Sequence, residues 1–147
     1  MFGYRNEELK NVRSRISCLI EAPGIYGNMS AYHNLAIKCR LFGINDSKYI
    51  ENILKIVGLS EVGKKKTKHF SLGMKQRLGI GLALVGEPDL LVLDEPINGL
   101  DPQGIAEIRD MLLRLKEEQN MTIIISSHIL EEYQRSRHTT ESFTTEV

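Results

Sequence analysis

Several features that mark specialised protein classes are scarce or missing in this sequence of 147 residues. It has no Trp, and its 19 basic residues balance its 19 acidic ones. The net charge therefore gives no indication of an anionic membrane as a partner, and no nucleic-acid partner is predicted. Cys18 and Cys39 form no Cys-X-X-Cys pair and have no histidines at zinc spacing, which predicts reduced thiols in a cytoplasmic protein.

Long hydrophobic runs are also missing. The longest apolar stretch, Leu78 to Val85, is much shorter than a membrane span and is interrupted by Gly79 and Gly81. The first residues lack the basic and then apolar pattern of a signal peptide. We expect a soluble cytoplasmic protein that reaches a membrane only through a partner.

The composition, 41% hydrophobic and 26% charged, is that of an ordinary globular domain. Capping residues, apolar residues at helical spacing and terminating glycines predict three helices in the first part of the chain. These run from Ser30 to Phe42, from Asp46 or Ser47 to Gly58, and from just after Ser71 to Leu84.

The second part of the chain has a different pattern. Asp89–Asp94 is a predicted strand that is expected to be buried on both faces of a parallel sheet, and a shorter strand, Ile16–Ile20, is predicted before the helices. Asp101 and Pro102 suit the start of a helix, which is followed by a second buried strand over Met121–Ile125. Strand, helix and strand form a βαβ unit, which indicates the α/β class.

Two carboxylates follow the central apolar strand. Asp94 and Glu95 emerge at its carboxyl end, where α/β sheets place their ligands. The first carboxylate suits a magnesium ion, and the second suits orienting and deprotonating a water that attacks phosphorus. Taken alone, the same residues also suit a strand that ends in a solvated acidic turn.

Two further features point to an anionic ligand. Ser71 supplies a hydroxyl at a helix start and Gly73 permits close backbone approach, while the first turn offers free N–H groups. A capped helix with a basic first turn explains this segment equally well. His128 ends the last predicted strand, where a packed surface histidine is the alternative.

The order and spacing of these features resemble those of ATP-binding cassette (ABC) proteins. Phe70–Arg77 is similar to the family's signature motif, Leu90–Pro96 to its Walker B strand and Asn98–Asp101 to its D-loop. His128 resembles the switch histidine, and Glu21 stands where the Q-loop glutamine belongs. The similarity extends over residues 10–132. The stretches IEAPGIYGNMSAYHNL and FSLGMKQRLGIGLAL resemble the bacterial subgroup associated with bacitracin and lantibiotic export.

The resemblance implies roles for individual residues. Asp94 would organise Mg²⁺ with Glu21 as a second metal ligand, Glu95 would be the general base and His128 would contact the γ-phosphate. The residues implied to bind ATP held by the opposite subunit, or to couple the two sites, are Ser71, Gly73, Gln76 and Asp101.

The resemblance also implies the fold and the partners. The fold would be a partial P-loop NTPase sheet, α/β in class, with an inserted and mostly helical subdomain. Residues 1–22 would end the first catalytic segment, 23–86 would form the helical subdomain, and 87–132 would complete the catalytic subdomain. Residues 133–147 are predicted to be a disordered tail. The partners would be a second ATP-binding subunit in a head-to-tail dimer and a membrane-spanning permease, which would hold the protein at the inner face of the membrane.

Some residues depart from the family pattern. Glu21 replaces Gln, and Leu72 and Met74 replace Gly and Gln in the signature motif. A phosphate-binding loop, G-X-X-X-X-G-K-[ST], is missing; Gly58–Lys65 comes near it but has Lys65 in the Ser/Thr position and follows a predicted helix. We expect that the family's loop precedes Met1, so the function predicted is that of an exporter ATPase subunit or a fragment of it. The alternatives are a soluble, non-transport ABC ATPase and a non-catalytic remnant that binds only a partner cassette or permease.

Overall fold

Local capping interactions define the helices of the computed structural model, which describes residue 13, residues 15–20 and residues 23–126. Its elements are β1 (Ile16–Leu19), α1 (Ala31–Leu41), α2 (Ser47–Ile56), α3 (Leu72–Leu84), β2 (Leu90–Asp94), α4 (Pro102–Gln119) and β3 (Thr122–Ser126). The N-cap residues of the helices are Ser30, Asp46, Ser71 and Asp101, whose side-chain oxygens accept backbone N–H groups of the first turn. The predicted helix starts are confirmed.

A glycine ends α2 as predicted. Gly58 has a φ of +65° in the left-handed region, where a side chain would be strained. Its N–H donates to the carbonyl oxygen of Lys55 at 3.1 Å, and the N–H of Leu59 donates to that of Leu54 at 2.8 Å. These two bonds form a Schellman motif, which satisfies the last carbonyl groups of the helix.

The strands form a parallel sheet in the order β1-β2-β3, with β2 in the middle. Leu93 of β2 pairs with Leu19 of β1 on one side and with Ile125 of β3 on the other. Helix α4 connects β2 to β3, which confirms the predicted βαβ unit and the α/β class. In this register the carboxyl ends of β2 and β3 lie side by side.

The burial of the strands differs from the prediction. Leu91 and Leu93 are fully buried, but the alternate residues of β2 are only half-buried, so one face of the strand is covered more completely than the other. The prediction that the last strand is buried was wrong, because Ile124 is 53% exposed and Ile125 is 43% exposed. Within the described residues β3 pairs with β2 on one side only, and α4 covers only part of it.

One hydrophobic cluster joins the helices to the sheet. Its fully buried members include Leu35 of α1, Leu78 and Ile80 of α3, Leu91 and Leu93 of β2, and Ile108 and Leu115 of α4. Cys18 is exposed and Cys39 is buried, and both are free thiols. Burial raises the pKa of the Cys39 thiol above its ordinary value. In the part of the chain that the structure describes, no helix combines the length and the hydrophobicity that a membrane crossing requires.

Candidate functional site

The first half of the candidate site lies at the carboxyl end of the middle strand. Asp94 is the last residue of β2 and pairs in register with Ser126, the last residue of β3. The Ser126 hydroxyl donates a hydrogen bond to Asp94 Oδ1, and the backbone N–H of Glu95 donates to the carbonyl oxygen of Ser126 at 3.1 Å. The carboxylate of Asp94 is therefore held in a defined orientation at the carboxyl end of the middle strand.

Glu95 begins the turn that leaves the strand. Its φ of 51° is uncommon for a residue with a side chain and costs on the order of 1 kcal/mol, which the surrounding structure must offset. Pro96 is fully buried behind it, and the N–H of Asn98 donates to the Glu95 carbonyl oxygen at 3.1 Å. These contacts fix the backbone on both sides of Glu95, and the side chain remains partly exposed to solvent.

The second half of the candidate site is the start of α3. The Ser71 hydroxyl caps the helix by accepting the N–H of Met74 at 3.2 Å. Ser71 is exposed and Gly73 is half-buried, so the first turn is accessible to a ligand. Gln76 lies one turn further along and is only 7% exposed, so its predicted contact with a nucleotide stays a prediction.

The start of α3 packs against the turn that follows Glu95. A Cβ atom at Gly99 would lie 3.2 Å from Leu72 Cδ2, and a Cβ atom at Gly73 would lie 3.7 Å from Leu100 Cδ2. Asp101, directly after this turn, is exposed and caps α4 by accepting the N–H of Gly104 at 3.1 Å. The signature-like and D-loop-like segments are therefore neighbours on one side of the molecule.

Two of the predicted site residues cannot be compared with the structure, and one residue at the site was not predicted. Glu21 and His128 lie outside the described residues, so their roles stay predictions. Sequence reasoning did not single out Ser126; its signal was its position at the end of the apolar run Ile123–Ile125, in register with Asp94. The described residues contain no group of three or more His, Cys, Asp or Glu side chains that could hold a metal ion.

The oxygen ligands that are present fit magnesium. Mg²⁺ is commonly held by one or two carboxylates, by water and by substrate phosphates, and does not need a cage made only of protein ligands. The oriented carboxylate of Asp94 matches this chemistry, with Glu95 directly after it.

The segment that comes near a phosphate-binding loop has a structural role. It follows α2 and contains the short 3-10 turn Ser60–Val62, as expected of a helix stop and connector. Gly63 is buried, and a Cβ atom there would lie 2.9 Å from Leu54 Cδ1. A side chain at this position would therefore press on Leu54 of α2. The prediction that the segment is not a phosphate-binding loop is consistent with its position after a helix.

Comparisons with known proteins identify the family. Residues 3–98 match the family model described as "ABC transporter", and the chain belongs to this family. It is 50% identical over 126 residues to the bacitracin transport ATP-binding protein BcrA of Bacillus licheniformis, covering 86% of this chain and 41% of that protein. It is 49% identical over 118 residues to the lantibiotic transport ATP-binding protein SrtF of Streptococcus pyogenes, covering 80% of this chain and 51% of that protein.

A solved structure shows the same fold. The chain superposes on cbiO1 of Clostridium perfringens, part of the ABC transporter complex cbiONQ, with a TM-score of 0.76 and 32% sequence identity. The match covers 85% of this chain and 51% of that one. The chain thus spans about half the length of the relatives that it matches. The predicted family and the resemblance to the bacitracin and lantibiotic subgroup are confirmed.

Proposed function

We propose that the chain provides part of the ATP-binding and ATP-hydrolysing subunit of an ABC exporter whose cargo is a drug or an antimicrobial peptide. The observation that carries this proposal is the position of Asp94 and Glu95 at the carboxyl end of the middle strand, next to the packed Leu72–Gly99 contact. The names of the relatives support the cargo class.

The residues of the strand end act on the nucleotide in this proposal. Asp94, oriented by Ser126, would hold Mg²⁺ directly or through water, and the bound ion would supply charge neutralisation on the phosphates. Glu95 would orient the attacking water and accept its proton. Glu21 and His128 would add a metal ligand and a γ-phosphate contact at the same place.

The start of α3 acts on a second nucleotide in this proposal. The hydroxyl of Ser71, the backbone at Gly73 and the first-turn N–H groups would bind ATP held by a second ATP-binding subunit in a head-to-tail dimer. Asp101 would connect the two sites across the dimer, and Gln76 would support this half-site from the buried side of α3. A permease would bind the helical segment 23–86 and keep the complex at the inner face of the membrane.

The first test is hydrolysis by the purified 147-residue chain. We expect no magnesium-dependent ATP hydrolysis above background, because the sequence has no G-X-X-X-X-G-K-[ST] loop to hold the phosphates beside Asp94. Release of inorganic phosphate would be measured for the wild type and for Glu95→Gln. If the wild-type chain hydrolyses ATP and Glu95→Gln does not, the expected inactivity is wrong, but the proposed role of Glu95 is supported.

The missing loop favours a second candidate, a non-catalytic chain that binds only a partner cassette. The two candidate functions can be distinguished by mixing the chain with the complete Bacillus licheniformis relative and measuring the hydrolysis rate of the relative. Because the chain offers an accessible α3 start, we expect it to pair with the relative and change its hydrolysis rate. Gly73→Asp places a carboxylate where a phosphate would bind and should remove this effect. If Gly73→Asp and Glu95→Gln both remove the change in hydrolysis rate, the catalytic candidate is favoured. If only Gly73→Asp removes it, the non-catalytic candidate is favoured. A change in rate that neither substitution alters would contradict both candidates.

A further inference from the structure

Lysines are concentrated on the segment that directly precedes the start of α3. Lys64, Lys65, Lys66 and Lys68 are all exposed, and the segment that carries them pairs with residues 26–29. We call residues 26–29 and 64–68 together the basic face. Neither candidate half-site uses these residues, which lie within the segment 23–86 that the proposed function assigns to a permease.

Hydrogen bonds hold the two segments of the basic face together. The N–H of Thr67 donates to the Met29 carbonyl oxygen at 2.9 Å, and the N–H of Lys68 donates to that of Gly27 at 2.9 Å. The fully buried Thr67 also donates its hydroxyl to the Tyr26 carbonyl oxygen at 3.0 Å. The lysines therefore extend from a fixed backbone, which lowers the ordering cost of binding a partner.

The charge around this face is strongly one-sided, although the whole chain is neutral. Residues 22–45 and 62–86 contain no Asp or Glu. Within the described part of the chain, the ion pairs involve Arg15, Arg77 and Arg109, and none involves a lysine of the basic face. None of these ion pairs therefore offsets the positive charge of the face, and the nearest carboxylate in the sequence is Glu61, three residues before Lys64.

Exposed apolar side chains accompany the lysines. Tyr26 is 59% exposed and Met29 is 41% exposed. A Tyr ring and an apolar side chain beside several lysines suit a membrane interface, where the lysines meet anionic headgroups and the apolar groups enter the boundary with the acyl chains. The face contains no Arg, whose planar guanidinium group is the preferred donor for specific phosphate recognition on nucleic acid. Its composition therefore favours a membrane over a nucleic acid.

We propose that the basic face contacts the anionic surface of a lipid membrane directly, through its lysines with Tyr26 and Met29 entering the headgroup layer. The presence of a membrane near the chain rests on the proposed function. The contact itself needs neither nucleotide nor a catalytic residue, and its test therefore leaves the ATPase proposal untouched.

The test is sedimentation of the purified chain with vesicles of equal parts phosphatidylcholine and phosphatidylglycerol, compared with vesicles of phosphatidylcholine alone. We expect binding to the anionic vesicles that weakens as salt is raised. The triple variant Lys64→Gln, Lys65→Gln and Lys66→Gln should lose about fivefold in affinity per lysine, on the order of a hundredfold in all. Met29→Ser should weaken binding several-fold at any salt concentration, because it removes an apolar contact that salt does not screen.

The matched control removes the same charge from another element. Arg109→Gln, Arg114→Gln and Lys116→Gln change three exposed residues of α4 and should bind nearly as well as the wild type. Equal binding to both kinds of vesicle, or equal losses in the two triple variants, would overturn the proposal. Binding to poly-glutamate without binding to anionic vesicles would also overturn it and would indicate an acidic peptide as the partner.

Discussion

Leu93→Ala is expected to lower the free energy of unfolding by about 2–5 kcal/mol, the range for a large-to-small change in a packed core. Leu93 is fully buried in the middle strand and pairs with Leu19 and Ile125 on either side. Leu93 belongs to the hydrophobic cluster that joins the sheet to the helices, and its strand is paired on both sides, so the cavity cannot close without moving the strand. Chemical denaturation followed by circular dichroism measures the loss.

The control for this variant is Val92→Ala on the same strand. Val92 is only half-buried, because its side chain lies on the less covered face of β2. Its truncation should cost about 1 kcal/mol or less, since two methyl groups that are already partly hydrated are removed. Losses of equal size for the two variants would contradict the one-sided burial of β2.

Gly79→Ala is expected to destabilise the protein by about 1–3 kcal/mol, although alanine is the better helix former. An added Cβ atom would lie 2.6 Å from Pro23 Cβ, 2.8 Å from Pro23 Cγ and 3.3 Å from Leu19 Cδ2. The Pro23 ring is rigid and Leu19 is held in the sheet, so the helix must shift. The strain should exceed the gain of about 1 kcal/mol that Ala brings to a helix interior. Thermal unfolding of the purified variant gives the measurement.

Gly73→Ala is the matched control in the same helix. A Cβ atom there would lie 3.7 Å from Leu100 Cδ2, an ordinary van der Waals contact. This variant should keep or raise the melting temperature. A lower melting temperature for Gly73→Ala than for Gly79→Ala would show that the packing of α3 against Pro23 is not the reason for glycine at position 79.

The sequence predicted the elements well because their signals are local. The cap residues Ser30, Ser71 and Asp101, and the terminating Gly58, act within one turn of the helices that they bound. The position of Asp94 and Glu95 follows from the same kind of signal, since an apolar run followed by two carboxylates must deliver them at a strand end.

Burial was predicted less well. The run Ile123–Ile125 is as apolar as a central strand, but exposure is decided by which other segments reach it. Gln76 differs in the opposite direction: this polar residue of the signature-like motif was expected to contact a nucleotide, but it is buried because its side of α3 faces the core. Neither result can be derived from periodicity alone, because periodicity does not identify the neighbouring element.

The sequence by itself predicted closely, though not to the residue, where the helices and strands begin and end, together with the α/β class and the carboxylate pair, because caps, spacing and apolar runs act between residues close in the chain. Only the tertiary structure decided that Ser126 orients Asp94, that Leu72 lies against Gly99, and that Pro23 lies where a side chain at position 79 would be. These contacts join residues that are distant in the chain, and they depend on strand register and helix packing, which no local pattern encodes.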